Sequence, residues 1–260
     1  MTAQSETEQR TAVYVYGIIP GEVDLEAGAD GVGDPPGQIR LVRHEDLAAL
    51  VSDVDVSKPL GRPQDLVAHE ELLDSSAEAV PVLPLRFGAV VASDDAVASE
   101  LLAPHHDEFA AALEALDGQA EYVVRGRYDE ATVLRETLQE NDDAARLSEQ
   151  IRDTDETATR DARMRLGEIV TNAIEAKRDQ DTQAVHEVVA EHVSATVLRP
   201  PTHEFDAVHT AYLVKSDQVP EVERALQKLA RDWGGRVELR LLGPLAAYDF
   251  TGSVAPSMES

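Results

Sequence analysis

The sequence contains no cysteine. Disulfide bonds, thiolate metal ligands and a cysteine nucleophile are therefore excluded. No apolar run approaches the ~20 residues that a helix needs to span a bilayer. The start of the chain is polar and acidic, unlike the apolar segment of a signal peptide. From these absences we expect a protein of the cytoplasm.

Basic residues are also scarce. Lysine and arginine together number 23 against 50 aspartates and glutamates, which gives a formal net charge of -27. Lysine occurs only at Lys58, Lys177, Lys215 and Lys228. Such a negative field repels phosphate backbones and anionic lipid surfaces. We therefore expect neither a nucleic acid nor a membrane among the partners of this protein.

The acidity has two interpretations, a single solvating tail or adaptation to high salt. The carboxylates extend from Glu6 to Glu259 and form no long acidic block, which disfavours a tail. Ions at about 1 M shorten the Debye length to ~3 Å and so screen the repulsion between distributed charges. This pattern predicts a salt-adapted protein that loosens when the salt is removed.

The apolar residues are sufficient for a folded core. They make up 43% of the 260 residues, which is enough for one large or two small domains. Hydrophobic periodicity in the first half predicts four strands, at residues 12–19, 39–42, 47–54 and 121–128. It also predicts helices at residues 65–79 and 94–116, the second of which Pro104 is expected to kink or split.

The second half begins with a long, highly charged helical pattern. Residues 129–192 place apolar side chains three and four positions apart, as in a short coiled coil. A β-α-β rhythm follows, with strands at 195–198, 208–214 and 236–242 and a helix at 219–233. We predict an α+β fold: two ferredoxin-like α/β domains with an intervening helical, coiled-coil-like segment. The predicted domains are residues 1–128 and residues 129–260, the latter a helical hairpin followed by a ferredoxin-like unit.

No catalytic pattern is present. The eight histidines show neither the i,i+4 spacing of a helical metal site nor the spacing of a zinc motif. Fifty carboxylates make any single acid pair uninformative, and no serine lies in a G-x-S-x-G turn. We therefore predict no catalytic residue, no cofactor and no metal, and a protein that is not an enzyme. The alternative is a ferredoxin-like enzyme or small-molecule-binding protein, because that fold hosts both.

The most apolar stretch lies at residues 80–91. Pro81 and Pro84 force extended backbone before them and remove two donors, which predicts an edge strand or a fixed extended turn. Arg86, within this run, is expected to be partly buried and paired with a carboxylate or several carbonyls. Two roles remain open, a structural edge and a docking edge for another protein.

This stretch carries a resemblance to a known family. Residues 82–88, Val-Leu-Pro-Leu-Arg-Phe-Gly, resemble the LPLRFG signature of the gas vesicle protein GvpL/GvpF family. Residues 14–17, residues 121–125 and residues 241–250 are similar to other motifs of that family, in the same order. The closing motif departs from the family pattern at Leu245, in place of a tryptophan, and at residues 246–247, in place of two prolines.

The resemblance implies a function in the assembly of gas vesicles. Members are accessory proteins, chaperone-like or minor structural components, that bind the shell protein GvpA and other accessory proteins. With the acidity, it suggests a halophilic archaeal member that acts in the cytoplasm and at the gas vesicle. The candidate partner-binding or signature residues are Leu83, Pro84, Arg86, Phe87, Gly88, Tyr16, Gly17, Gly243, Pro244 and Tyr248.

Overall fold

The computed structural model describes residues 11–24, 30–152, 154–155 and 158–251. The chain divides into two compact units, one formed by residues 1–121 with 243–260 and the other by residues 122–242. We call them unit 1 and unit 2. This division differs from the boundary predicted at residues 128 and 129. The strand expected to close the N-terminal domain lies mostly in unit 2, and the closing segment of the chain returns to unit 1.

Unit 1 is built on an antiparallel sheet of β1 (Thr11–Pro20), β2 (Arg40–His44), β3 (Leu47–Asp55) and β4 (Leu83–Pro84). The strand order is β2-β3-β1-β4, and β5 (Val90–Val91) also pairs with β1. Its first strand is the predicted one, and a β-bulge interrupts its ladder with β3 at Tyr16. The α-helices of this unit are α1 (Pro63–Ala77), α2 (Asp94–Ala96) and α3 (His106–Leu116).

The central strand β1 is buried along most of its length because its run of valine, tyrosine and isoleucine suits a strand covered on both faces. Tyr14, Leu50 and Leu73 are fully buried at the centre of this core. The helix predicted at residues 94–116 is split, as Pro104 suggested. A π-helical turn (Val97–Leu102) follows α2, and α3 starts only after the proline, which lacks the N–H needed to continue the helix.

The first turn of α1 is fixed by the buried carboxylate of Asp65. Its oxygens accept hydrogen bonds from the backbone N–H groups of Gly33 (3.3 Å) and Arg62 (3.0 Å). The Arg62 guanidinium forms an ion pair with the same group at 2.9 Å. These donors, Arg62 first, lower the pKa of Asp65 to about 2. The carboxylate thus joins α1 to the loop that contains Gly33.

Unit 2 follows the β-α-β-β-α-β order of a ferredoxin-like unit. Its sheet has the strand order β7 (Val193–Leu198), β8 (Asp206–Lys215), β6 (Gln119–Tyr128) and β9 (Val237–Leu245). Three helices instead of one connect β6 to β7, so the predicted coiled-coil-like segment is the first crossover of this unit. The α-helices of this unit are α4 (Glu130–Glu140), α5 (Asp142–Ile151), α6 (Arg160–Val189) and α7 (Val219–Asp232).

The two antiparallel sheets, with a helical segment between them along the chain, confirm the predicted α+β class. In unit 1, the connection between β1 and β2 contains no helix among its described residues, which distinguishes it from the connectivity of unit 2. Among the described residues, no helix combines the length and the apolar character required to cross a membrane.

Candidate partner-binding site

The signature residues form an interrupted outer strand along β1. Leu83 and Pro84 pair with Ile18 and Gly17, and β5 pairs with the earlier part of the same strand. Between these two short pairings, Leu85 N–H donates to the Tyr16 carbonyl at 2.9 Å, and Val15 N–H donates to the Ala89 carbonyl at 2.9 Å. Residues 86–88 leave the ladder as a tight loop, which we call the signature loop. The predicted edge position is confirmed, because β4 ends the strand order.

Arg86 lies exposed in the signature loop. The prediction that its guanidinium is partly buried and paired is wrong, since no described residue forms a hydrogen bond or ion pair with it. Side chains alternate along extended backbone, so Leu85 points into the core and its neighbour points away. The prediction treated the apolar run as buried on both faces, but the chain leaves the sheet at this arginine.

A buried hydrogen-bond network supports the loop from beneath. His69 on α1 is only 2% exposed. Its Nδ1 lies 3.0 Å from the Tyr14 hydroxyl, and its Nε2 lies 2.8 Å from the Tyr248 hydroxyl and 3.2 Å from the Leu85 carbonyl. The Tyr14 hydroxyl also accepts a hydrogen bond from Gly88 N–H at 3.0 Å. One imidazole therefore links β1, α1, the signature loop and the closing segment of the chain.

The partners of the imidazole assign its tautomer. The Tyr14 hydroxyl accepts from Gly88 and donates its only proton to Nδ1 of His69, so Nε2 carries the imidazole proton. Burial lowers the pKa of His69 to about 4, because the imidazolium would lose its hydration. Burial likewise raises the pKa of Tyr14 and of Tyr248. With both nitrogens engaged and little solvent access, His69 is a structural group.

The ring of Phe87 anchors the signature loop on this network. It is half-buried, with its centroid 5.7 Å from that of Tyr14 and 5.5 Å from that of His69. Gly88 follows with φ of +96°, in the left-handed region that favours glycine. The inward ring and the glycine turn together hold the loop in one conformation, with Arg86 outside.

Gly17 permits the close approach of β4 to β1. A Cβ atom at this position would lie 2.7 Å from the Leu83 carbonyl oxygen and 2.8 Å from a methyl carbon of Leu73. The adjacent Tyr16 is fully buried, and its hydroxyl accepts from Val32 N–H at 2.7 Å and lies 2.8 Å from Ser52 Oγ. These two residues of β1 set the position of the outer strand and of the loop that contains Val32.

The closing segment also belongs to this site. Ala246 N–H donates to Asp74 on α1 at 2.9 Å, and Asp249 N–H donates to Glu121 at 3.0 Å. The departures from the family motif at residues 246–247 are buried alanines, and the segment still brings the Tyr248 hydroxyl to His69. The contact between Tyr248 and His69 therefore forms without an aromatic side chain at position 245.

The structure brings most of the predicted residues together. Leu83, Pro84, Phe87, Gly88, Tyr16, Gly17 and Tyr248 surround the network or the loop that it supports, and Arg86 projects from that loop. Gly243 and Pro244 lie instead near the end of β9, where Gly243 has φ of +140°. Sequence reasoning missed His69. Its position three and four residues before the buried Leu72 and Leu73 was the available signal, since this spacing marks one helix face.

Among the described residues, no group of three metal-binding side chains was found at this site. The one group of three such side chains found among the described residues, Glu45, Asp46 and His106, lies elsewhere in unit 1. The buried network orients and supports the signature loop, and the Arg86 side chain is exposed on that loop. The fold and the site thus define an α+β protein that displays a cationic loop on a rigid aromatic support.

Comparison with known proteins identifies the family. Residues 12–252 match the family described as gas vesicle synthesis protein GvpL/GvpF. Gas vesicle protein F of a Streptomyces strain is 33% identical over 242 residues, which cover 92% of this chain and 99% of that protein. The crystal structure of GvpF from Anabaena superimposes with a TM-score of 0.74 at 19% identity, covering 92% of this chain and 98% of the other. The chain belongs to the GvpL/GvpF family.

The comparisons leave the predicted halophilic archaeal origin as a prediction. Gas vesicle protein F1 of Halobacterium salinarum is 32% identical over 192 residues, covering 71% of this chain and 86% of that protein. Relatives from Streptomyces and from cyanobacteria match over a larger share of the chain. Family membership is consistent with an accessory role in gas vesicles. The relatives come from both halophilic and non-halophilic organisms, so membership does not indicate a halophilic origin.

Proposed function

We propose that this protein binds the gas vesicle shell protein GvpA, and other accessory proteins, through the signature loop during vesicle assembly. The observation that carries the proposal is the exposed Arg86, which has no ion-pair partner among the described residues of a chain with a net charge of -27. A guanidinium presents a planar set of donors that matches a carboxylate on a partner.

The rigidity of the loop supports this role. Phe87 and Gly88 are fixed by ring contacts and by the hydrogen bond to Tyr14, so the loop is ordered before a partner arrives. Preorganisation lowers the entropic cost of association. The acidic surface elsewhere keeps the complex dispersed, which matters for a partner that would otherwise aggregate through exposed strands.

The proposal predicts that Arg86→Ala weakens binding to purified GvpA by about tenfold or more, the loss expected when a charged hydrogen-bonding partner is removed from an interface. Its unfolding free energy should change by less than about 0.5 kcal/mol, because the side chain is exposed. Arg135→Ala on α4, also exposed, is the matched control and should retain affinity. Binding is measured by pull-down followed by titration. Unchanged affinity of Arg86→Ala would contradict the proposal.

Within this function, transient and permanent roles are separable. A chaperone-like protein should be absent from washed vesicles, and a minor structural component should remain at fixed stoichiometry in mass spectrometry. Either outcome is compatible with a protein that acts by binding and not as an enzyme, in the cytoplasm and at the gas vesicle. A turnover reaction in the purified protein would instead favour the alternative class.

A second candidate function is small-molecule binding by unit 2. A cavity of about 390 Å³ lies beside α6 and β7, and His186 borders it with a buried Nδ1 that has no hydrogen-bond partner among the described residues. The other lining residues include Arg178, Thr196, Leu198, Arg199 and His209. A screen for ligands that raise the melting temperature tests this candidate, with His186→Ala as the variant that should lose the response.

A further inference from the structure

The turn between β2 and β3 meets the start of α3 in a cluster of metal-binding side chains. Glu45 and Asp46 form this turn, and His106 is the first residue of α3. The Nε2 atom of His106 lies 2.5 Å from Oδ1 of Asp46 and 3.4 Å from Oε2 of Glu45. The three ligand atoms all lie within 4.8 Å of one another. They come from two elements that are distant in sequence.

The distances from Nε2 of His106 to the two carboxylates, 2.5 and 3.4 Å, are near the ligand separations of a coordination shell. Zinc binds histidine nitrogen and carboxylate oxygen at about 2.0–2.2 Å, so neighbouring ligand atoms of a tetrahedral or octahedral site are separated by roughly 3.0–3.4 Å. Both carboxylates are mostly exposed, at 69% for Glu45 and 72% for Asp46, and are free to move. The Asp46 oxygen would have to move away from Nε2 by roughly 0.5 Å or more to share an ion with it. The imidazole is more buried, at 23% exposure, and forms the fixed side of the cluster.

The other imidazole nitrogen of His106, Nδ1, also contacts a carboxylate. Nδ1 of His106 lies 3.2 Å from Oδ1 of Asp107. A carboxylate at this position keeps the imidazole proton on Nδ1 and leaves the lone pair of Nε2 directed towards the two turn carboxylates. A carboxylate that orients a histidine through its other nitrogen is a common outer-shell feature of protein zinc sites.

We propose that Glu45, Asp46 and His106 bind a divalent transition-metal ion of the zinc class, with water completing the coordination. The imidazole favours Zn²⁺, Co²⁺ or Ni²⁺ over Mg²⁺ and Ca²⁺, which prefer oxygen ligands throughout. A bound ion would fasten the β2–β3 turn to α3. It would therefore stabilise unit 1 by mass action, increasingly as the free ion concentration exceeds its dissociation constant.

A different reading of the same cluster is an ion pair. Without a metal, the hydrogen bonds that His106 donates to the carboxylates of Asp46 and Asp107 raise its pKa and favour the imidazolium. An imidazolium has no lone pair for a metal, so the two readings predict opposite responses to zinc. In the ion-pair case, the three side chains share a proton and bind no metal ion.

The test is isothermal titration of the full chain with ZnCl₂ and, separately, with MgCl₂, at the same pH and salt concentration. We expect one zinc equivalent that Mg²⁺ does not reproduce. His106→Ala and Asp46→Asn should each lower zinc affinity by about tenfold or more, the scale of losses even at outer-shell positions. Co²⁺ added in place of zinc should give visible absorption that His106→Ala removes.

His105→Ala is the matched control, because His105 neighbours the cluster in sequence but its Nδ1 lies beside Glu108, at 3.5 Å. This variant should bind zinc as the parent chain does. Zinc binding of equal strength in His106→Ala, a loss of the same size in His105→Ala, or no zinc equivalent in the parent chain would each overturn the proposal. Circular dichroism of all variants checks that these substitutions leave the fold intact.

Discussion

At the residue scale, a single buried histidine explains why widely separated motifs of the family lie together. His69 accepts from Tyr14 and donates towards Tyr248 and the Leu85 carbonyl, so three segments share one imidazole. A buried polar group left without a partner costs about 1–3 kcal/mol. Loss of the His69 ring would remove the shared hydrogen-bond partner of the Tyr14 hydroxyl, the Tyr248 hydroxyl and the Leu85 carbonyl. The signature loop therefore depends on a residue that no motif contains.

This histidine predicts a specific pH dependence of stability. Its pKa is about 4 in the folded protein, below the ordinary value of 6.5, so the unfolded chain binds the proton more tightly. The stabilising contribution is complete above about pH 6.5 and is lost as the pH falls towards about 4. Between about pH 7 and pH 5, the unfolding free energy should fall by about 2 kcal/mol on account of this residue.

The comparison that isolates this effect is His69→Gln, because glutamine donates and accepts hydrogen bonds but does not titrate. Urea unfolding is measured for both proteins across the same pH range at constant salt. The variant should be less stable at neutral pH but lose about 2 kcal/mol less on acidification, since all other titrating groups are shared. Equal losses in the two proteins would show that His69 does not titrate on unfolding.

At the element scale, α6 is attached to the sheet of unit 2 by a buried ion pair. Asp181 on this 30-residue helix forms a bidentate pair with Arg236, with N···O distances of 2.6 and 2.7 Å. The Tyr128 hydroxyl of β6 donates to the same carboxylate at 2.7 Å. Every oxygen is engaged, which is the condition under which a buried pair is tolerated. The mostly polar helix thereby gains a fixed position against the strands.

Removal of the carboxylate should destabilise unit 2 strongly. Asp181→Ala leaves the Arg236 guanidinium, whose side chain is 18% exposed, without its partner, and we expect a loss of about 3 kcal/mol. Asp181→Asn retains one acceptor and should lose less. The probe is the fluorescence of Trp233, the only tryptophan, whose ring lies 5.3 Å from that guanidinium. Urea is the denaturant, because guanidinium chloride is itself a salt.

An exposed pair in the same unit provides the control for this prediction. Glu238 and Arg240 form an ion pair at 2.6 Å, but their side chains are 65% and 69% exposed. Solvent screens such pairs, so Glu238→Ala should change the unfolding free energy by less than about 1 kcal/mol. Similar losses for Asp181→Ala and Glu238→Ala would mean that the buried pair does not hold the helix.

At the scale of the whole molecule, charge is the dominant property. A net charge of -27 on 260 residues produces repulsion throughout the folded chain. Most of the described ion pairs involve arginine and lie at least partly exposed, where each contributes little. Dissolved ions would reduce this repulsion by screening it. Salt adaptation remains our interpretation of the composition.

Stability should rise with salt concentration over the range in which screening changes. Raising KCl from about 0.1 M to about 1 M shortens the Debye length from ~10 Å to ~3 Å, so the melting temperature should increase. Circular dichroism follows the transition. An uncharged osmolyte such as sucrose, which favours burial without screening charge, separates the two effects. Equal melting temperatures in the two salt solutions would remove the basis for salt adaptation.

The sequence by itself determined the α+β class, most elements and the family, because each depends on local patterns. Apolar periodicity located the strands and helices, Pro104 split its helix, and the run at residues 82–88 carried the resemblance. The exposure of Arg86 was decided only by the tertiary structure, since it depends on where the chain leaves its neighbouring strand. The same holds for the partners of His69 and His106, which come from segments far apart along the chain. Local pattern specifies an element, but a site made of distant residues exists only once the elements have packed together.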